Sequence, residues 1–182
     1  MDTEDAGCIT RIARGDAQAL SELYTRFRPS LYRYVWQQLH GDASLIEEVL
    51  QDTFLAIWRG AATFRGEAHV ATWVFRIAHN TASRAKRHPL TFSLNDVDDD
   101  DLSVAAGHED RTITRLALHD ALGRLTDKQR AVVLLVFVHG FTSEEAAQIL
   151  AIPLGTVKSR LHAARALLVN DPALQQSEEV NS

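Results

Sequence analysis

The chain has one cysteine, Cys8, in 182 residues. It therefore has no internal disulfide, and no ligand cluster beside Cys8 suggests a metal site. There is no apolar run of about 18 residues, so no membrane span is expected. The opening Met1-Asp-Thr-Glu-Asp-Ala-Gly-Cys8 is acidic and polar, unlike the basic-then-apolar start of a secretory signal, which leads to the expectation of a cytoplasmic protein. There is no Ser-His-Asp set, no pair of buried carboxylates and no phosphate-binding glycine loop. The eight histidines are scattered along the chain. Catalysis and a cofactor are therefore not expected. Positive charge is also short, since the net charge is −5, which at first weighs against nucleic acid as a partner.

The distribution of charge reverses that impression. Residues 1–87 carry eleven Lys/Arg against ten Asp/Glu, and residues 111–170 carry eight against four. Residues 88–110 carry seven Asp/Glu and no Lys or Arg, and residues 171–182 add three more acids. Two near-neutral or basic blocks are thus separated by one acidic stretch around Asn95-Asp-Val-Asp-Asp-Asp-Asp101. That stretch has no apolar periodicity and reads as a self-repelling linker, either an inert tether or a segment with its own role. The expected organisation is all-α: two small helical domains, 1–87 and 111–170, joined by a flexible acidic linker, 88–110. A disordered tail, 171–182, follows.

The strongest local signal runs from Thr142 to Arg165. Thr142 is a candidate N-cap with Glu145 three residues on, the spacing of a capping box. Ala146, Ala147, Ile149 and Leu150 give a short helix. Pro153 and Gly155 interrupt it, with Gly155 expected to permit the tight turn. A second helix restarts at Thr156, with Val157, Leu161, Ala164 and Leu168 on one face. Lys158, Ser159, His162 and Arg165 fall on another, with Arg160 beside it. This pattern reads as a helix-turn-helix whose second helix enters a DNA major groove, or as a plain helical hairpin with a solvated face.

Upstream, Ile9, Ile12 and Ala13 begin an apolar stripe that Gly15-Asp16 breaks. Asp16 then caps a helix Ala17–Arg28 with Leu20, Leu23, Tyr24 and Phe27 on one side. Pro29 is placed to open the next helix, with Leu31, Tyr34, Val35 and Leu39 periodic. After Gly41-Asp42, residues 43–60 form an amphipathic helix. Leu45, Ile46, Val49, Leu50, Phe54 and Ile57 lie on its apolar face and Glu47, Glu48, Gln51 and Asp52 on the other. That acidic face is either merely solvated or a dock for a basic partner.

A loop, 61–72, precedes a helix over about 71–87. Trp73, Arg76, Asn80, Arg84 and Arg87 recur on one expected outer face, and Val74, Ile77, Ala78 and Thr81 on the inner one. Rings and guanidinium groups interleaved in this way suit single-stranded DNA, although Trp73 could equally be core. Beyond the linker, Ile113, Leu116, Ala117, Ala121 and Leu122 face inward on one helix. Leu125-Thr126-Asp127 caps Lys128–His139, read as the central helix of the second domain.

Three segments now stand in order: Glu48-Val-Leu-Gln51-Asp52-Thr-Phe54, Phe64-Arg-Gly-Glu through Thr72-Trp73-Val-Phe-Arg76 to Asn80, and Pro153-Leu-Gly155-Thr156-Val-Lys158-Ser-Arg160 to Arg165. Together they resemble the bacterial sigma-70-type factors of the extracytoplasmic-function class, over nearly all of residues 8–168. The resemblance implies an alternative sigma factor with regions 2 and 4 that directs promoter-specific initiation and is not an enzyme. A stand-alone helix-turn-helix regulator is the alternative, but it has no use for the acidic helix or the aromatic loop.

The resemblance further implies that Glu48, Gln51, Asp52, Phe54 and Leu55 dock on the clamp helices of the largest polymerase subunit. It implies that Phe64, Arg65, His69, Trp73, Arg76, Asn80, Arg84 and Arg87 act on the −10 element. It assigns the −35 element to Thr156, Lys158, Ser159, Arg160, His162 and Arg165. Core RNA polymerase (clamp helices and flap), promoter DNA and an anti-sigma factor are the implied partners, with no small-molecule substrate and no membrane insertion. Two positions depart from the pattern. Arg84 stands where an acidic residue is common, and Ala163 stands where a second base-facing cation is common.

Overall fold

The computed structural model describes residues 2–39, 42–87 and 122–169. The linker 88–110, the expected helix with Ile113, Leu116, Ala117 and Ala121, and the tail 171–182 lie outside the described residues. Among the described residues, seven α-helices run in the order α1 Asp2–Ile12, α2 Ala17–Gln38, α3 Ala43–Gly60, α4 Val70–Arg87, α5 Asp127–Val133, α6 Ser143–Leu150 and α7 Leu154–Val169. No strand occurs among the described residues.

The starts of these helices follow local chemistry. Asp16 accepts hydrogen bonds from the amides of Gln18 (2.9 Å) and Ala19 (3.2 Å), and Asp42 accepts one from Leu45 (3.0 Å). These caps satisfy amides that have no partner within the helix. Thr126 with Gln129, and Thr142 with Glu145, form complete capping boxes. α3 occupies residues 43–60 as expected, with Ile46, Val49, Leu50, Phe54 and Ile57 buried.

The expected break at Pro29 is absent, and α2 runs straight through it. Leu23, Phe27, Leu31, Tyr34 and Val35 stay in phase across the proline and are all buried. A buried stripe of this length outweighs the roughly 3 kcal/mol of a helix-internal proline, whose ring sits on the exposed side. Tyr24, expected on the inner face, is exposed, with its ring 4.7 Å from that of Phe54.

The helix-turn-helix also differs in its turn. The left-handed residue is Ala151, at φ 51, and Gly155 lies inside the first turn of α7. The Pro153 carbonyl accepts from the amides of Thr156 (2.9 Å) and Val157 (3.2 Å), so α7 begins before Thr156. The helix expected to reach His139 is regular only as far as Val133, after which the chain widens into a π-turn, Leu134–Val138. Its apolar run is too long for one buried face, and Phe137 is left 71% exposed.

The described residues share one hydrophobic core. Residues up to Arg87 and those from Leu122 onward meet along a seam of α2 and α4 against α5, α6 and the turn before α6. Phe75 packs its ring 4.9 Å from both Phe141 and His139, and Tyr34 lies 5.8 Å from His139. The Thr72 hydroxyl donates to Glu145 Oε1 (3.4 Å), and Lys86 pairs with Asp127 at 2.8 Å. Arg130, only 3% exposed, donates to the carbonyls of Leu122, Gly123 and Leu125 and across the seam to that of Gln37.

Candidate nucleic-acid interface

α7 presents the basic face anticipated from its sequence. Val157 and Ala164 are buried, with Leu161 and Leu168 packed beside them. The other side is thereby left outward, and Lys158, Ser159, His162 and Arg165 are all exposed. Thr156 and Arg160 are half-buried at its edge. The Ser159 hydroxyl donates back to the Thr156 carbonyl at 3.0 Å, a local bond that a base edge could compete for. An exposed helix with a short packed helix before it has the shape a major groove admits.

A second surface is built by the loop after α3. A 3-10 turn, Ala61–Thr63, leads into Phe64, and Gly66 takes φ +71, a conformation that favours glycine. The loop bounds a crevice of about 610 Å³ whose walls include Phe64, Arg65, Trp73 and Arg76. Gln148 and Ala151, from the helix-turn-helix, close its far side. His69, Asn80, Arg84 and Arg87 lie nearby on the loop and along α4, with Asn80 and Arg87 exposed. The site therefore offers cations and amides outward and aromatic surface inward, a combination that holds phosphates while shielding a base from water.

Of the two readings left open for Trp73, the structure takes the core one. It is 8% exposed, in the core rather than on the outer face, with the Phe64 ring 5.2 Å away and tilted by 55°. Position 73 lies in the first turn of α4, where the packed face spans Val70, Thr72, Trp73, Val74 and Phe75. An 18-residue helix wedged between two neighbours buries more than a single stripe. Ile77 and Thr81, expected to face inward, are only half-buried. Phe64, half-buried, is the ring left at the crevice mouth.

The third surface is the outer side of α3. Glu48, Gln51, Asp52 and Leu55 are exposed and lie one to two turns apart, so they share a side. Leu55 is 43% exposed on this otherwise acidic stripe. Phe54 does not join them. At 5% exposure it belongs to the core, because its position follows Val49 and Leu50 on the apolar stripe, and it supports Tyr24 from beneath.

The seam between the two blocks holds groups that the sequence did not single out. Burial, with the nearby positive charges of Lys86 and Arg160, lowers the pKa of His79 to about 4. Burial, with Arg33, lowers that of His139 to about 4 as well. Burial pushes the Tyr34 phenol well above its ordinary range, so it stays protonated, and its oxygen shares a hydrogen bond with His79 Nδ1 at 2.9 Å. Arg130 carried the one legible signal, a lone cation entering an apolar run. The histidines carried none, because their neighbours are distant in sequence.

A helical bundle with a helix-turn-helix whose second helix has a basic outer face, beside an aromatic-lined loop, has the architecture of a DNA-binding transcription protein. The family described as Sigma-70 region 2 matches residues 23–88, and that described as Sigma-70, region 4 matches residues 115–168. The chain is 35% identical over 170 residues to the ECF RNA polymerase sigma factor SigM of Mycobacterium tuberculosis, covering 90% of this chain and 82% of that one. It is 31% identical over 164 residues to SigL of the same species, covering 87% and 92%. The chain belongs to the extracytoplasmic-function family of RNA polymerase sigma factors.

Among solved structures, CnrH in complex with the cytosolic domain of CnrY has the same fold. Its TM-score is 0.68 at 23% identity, covering 91% of this chain and 95% of that one. RpoE of Bartonella quintana, in complex with the anti-sigma factor NepR, gives 0.60 at 22%, covering 89% and 98%.

Proposed function

We propose that this sigma factor engages core RNA polymerase through the acidic side of α3, opens the −10 element with the loop after α3 and the outer side of α4, and reads the −35 element with α7. In this reading residues 1–87 and 111–170 are the two functional units and 88–110 connects them. The observation that carries the proposal is the coexistence of two exposed stripes on one chain. Glu48, Gln51, Asp52 and Leu55 are acidic and polar with one apolar side chain, and Lys158, Ser159, His162 and Arg165 are basic and polar. A stand-alone regulator uses only the second.

Within the docking set, Glu48, Gln51, Asp52 and Leu55 touch polymerase, and Phe54 positions them from the core. Within the −10 set, Phe64 meets the base, Trp73 backs it, and Arg65, His69, Arg76, Asn80, Arg84 and Arg87 hold phosphates and base edges. Arg84, in the last turn of α4, adds a positive charge to the DNA-facing side. A protein partner of the anti-sigma class controls access to these surfaces; in support, both fold relatives were solved with a protein bound, for RpoE the anti-sigma factor NepR.

Docking is tested by the double charge reversal Glu48→Lys with Asp52→Lys, which leaves the buried face of α3 untouched. The variant should keep its helical circular dichroism and lose competition for core polymerase and promoter-directed transcription. Normal competition by a folded double variant would remove α3 as the dock.

A further inference from the structure

We infer that the seam between the two blocks holds a site for a small polyphosphate anion, inorganic or nucleotide. A crevice of about 350 Å³ lies between α2 and α4 on one side and α5, α6 and α7 on the other. Four cations line it: Lys86 and Arg87 from the end of α4, Lys128 from α5 and Arg160 from α7. Asp127 is the one carboxylate in the lining, and Lys86 already pairs with it at 2.8 Å. Arg87, Lys128 and Arg160 make no ion pair among the described residues.

The second observation is Gln38, which lines the same crevice and is 4% exposed. Its Nε2 is buried and has no hydrogen-bond partner. A buried amide left without an acceptor is unfavourable, and nearly every such group in a folded protein has a partner. Turned toward the crevice, the Gln38 amide finds its missing acceptor in an anion seated there, which also offsets the converging charges. The carbonyl ends of α2 and α4 border the space with fractional negative charge, but Arg130 already occupies the Gln37 carbonyl, and the three cations left after Lys86 is paired with Asp127 outweigh half-charges.

The volume sits at the small end of ligand sites, enough for a di- or triphosphate group with a nucleoside projecting outward. Multiply charged phosphate fits this lining better than a carboxylate does, because donors approach from several directions at once. Both blocks supply donors, so an occupant ties residues before the linker to residues after it and favours the packed arrangement. Arg87 and Arg160 also belong to the −10 and −35 sets, so an occupant competes with DNA for them, whereas Gln38 and Lys128 belong to neither set.

Calorimetry on the full chain tests the site, using pyrophosphate and ATP against sodium chloride at matched ionic strength. Both phosphates should bind and raise the unfolding temperature beyond the salt control. Gln38→Leu removes the orphan amide at nearly constant shape. It should weaken pyrophosphate binding about tenfold while the unliganded chain is as stable as, or more stable than, wild type. Lys128→Glu, at an exposed position, should abolish binding. Two results overturn the proposal: no heat beyond the salt control, or equal affinity in wild type and both variants. A non-specific DNA duplex is the third arm. If the free chain binds duplex through Gln38 and Lys128 but ignores pyrophosphate and ATP, the crevice serves DNA phosphates and the proposal fails.

Discussion

Lowering the pH from about 7 to about 5 should loosen the seam between the two blocks, and its two histidines set the size of the effect. His79 and His139 have pKa values of about 4 in the fold against an ordinary 6.5. The folded chain keeps both neutral at a pH where the unfolded chain protonates them. The unfolded state then binds more protons, so stability is full above about pH 7 and is lost as pH falls through the unfolded value towards the folded one. A tenfold difference in proton affinity between the two states is worth about 1.4 kcal/mol. Each histidine therefore withdraws about 2 kcal/mol between pH 7 and pH 5 and about 3 kcal/mol once the fall is complete. Against a typical total of roughly 5–15 kcal/mol, two such losses matter.

Burial sets the direction of the His79 effect, with Lys86 and Arg160 adding to it, and its Nδ1 partner, the Tyr34 hydroxyl, brings no negative charge that would hold a proton on the ring. The Nε2 of His139 is buried without a partner, so a proton added there has no acceptor. The pKa of Asp16 is lowered mainly by its hydrogen bond with Arg11, so its contribution is lost only at lower pH. Urea unfolding at several pH values measures the slope. His79→Gln keeps a polar partner for Tyr34, and His139→Phe keeps a ring against Phe75. Each should remove about half of the pH 7 to 5 loss. A wild-type stability that is flat over this range, or a slope unchanged in both variants, would rule out the histidines as its source.

Two further outcomes concern other positions. Arg130→Met leaves the carbonyls of Leu122, Gly123, Leu125 and Gln37 without their charged donor. It should destabilise by about 3–5 kcal/mol, lowering the unfolding midpoint by roughly 6–20 °C. A melt within a degree or two of wild type would show that water replaces the guanidinium. On α7, Lys158→Ala should cost about 1–3 kcal/mol and relax preference at one or two −35 positions, whereas Arg165→Ala should weaken binding evenly and reduce the salt slope by about 1. Selection from a −35 library with each mutant holoenzyme at two salt concentrations distinguishes them, and a changed motif for Arg165→Ala alone would reverse the assignment.

Features that depend on near neighbours alone were legible in the residues. Asp16, Asp42, Thr126 and Thr142 cap helices because a side-chain oxygen can reach an amide two or three residues away whatever the tertiary context. α3 and the inner face of α7 were legible for the same reason, since a single apolar stripe at helical spacing must turn inward. The exposed stripes on α3 and α7 followed as their complements.

Features that depend on distant neighbours came from packing. Pro29 stays inside α2 because the packing of Leu23 through Val35 outweighs a local penalty. Trp73 sits in the core because α4 is covered on more than one side, which periodicity cannot show. Ala151 rather than Gly155 turns left-handed, because Pro153 starts α7 earlier and the bend must fall before it. The seam itself joins Tyr34, Phe75, His79, Gln38 and Lys86 to Asp127, Arg130, His139 and Arg160 across the acidic stretch between the blocks. Burial there, a property of the assembled core and not of any local pattern, keeps the histidines neutral and leaves the Gln38 amide without a partner beside a cationic crevice.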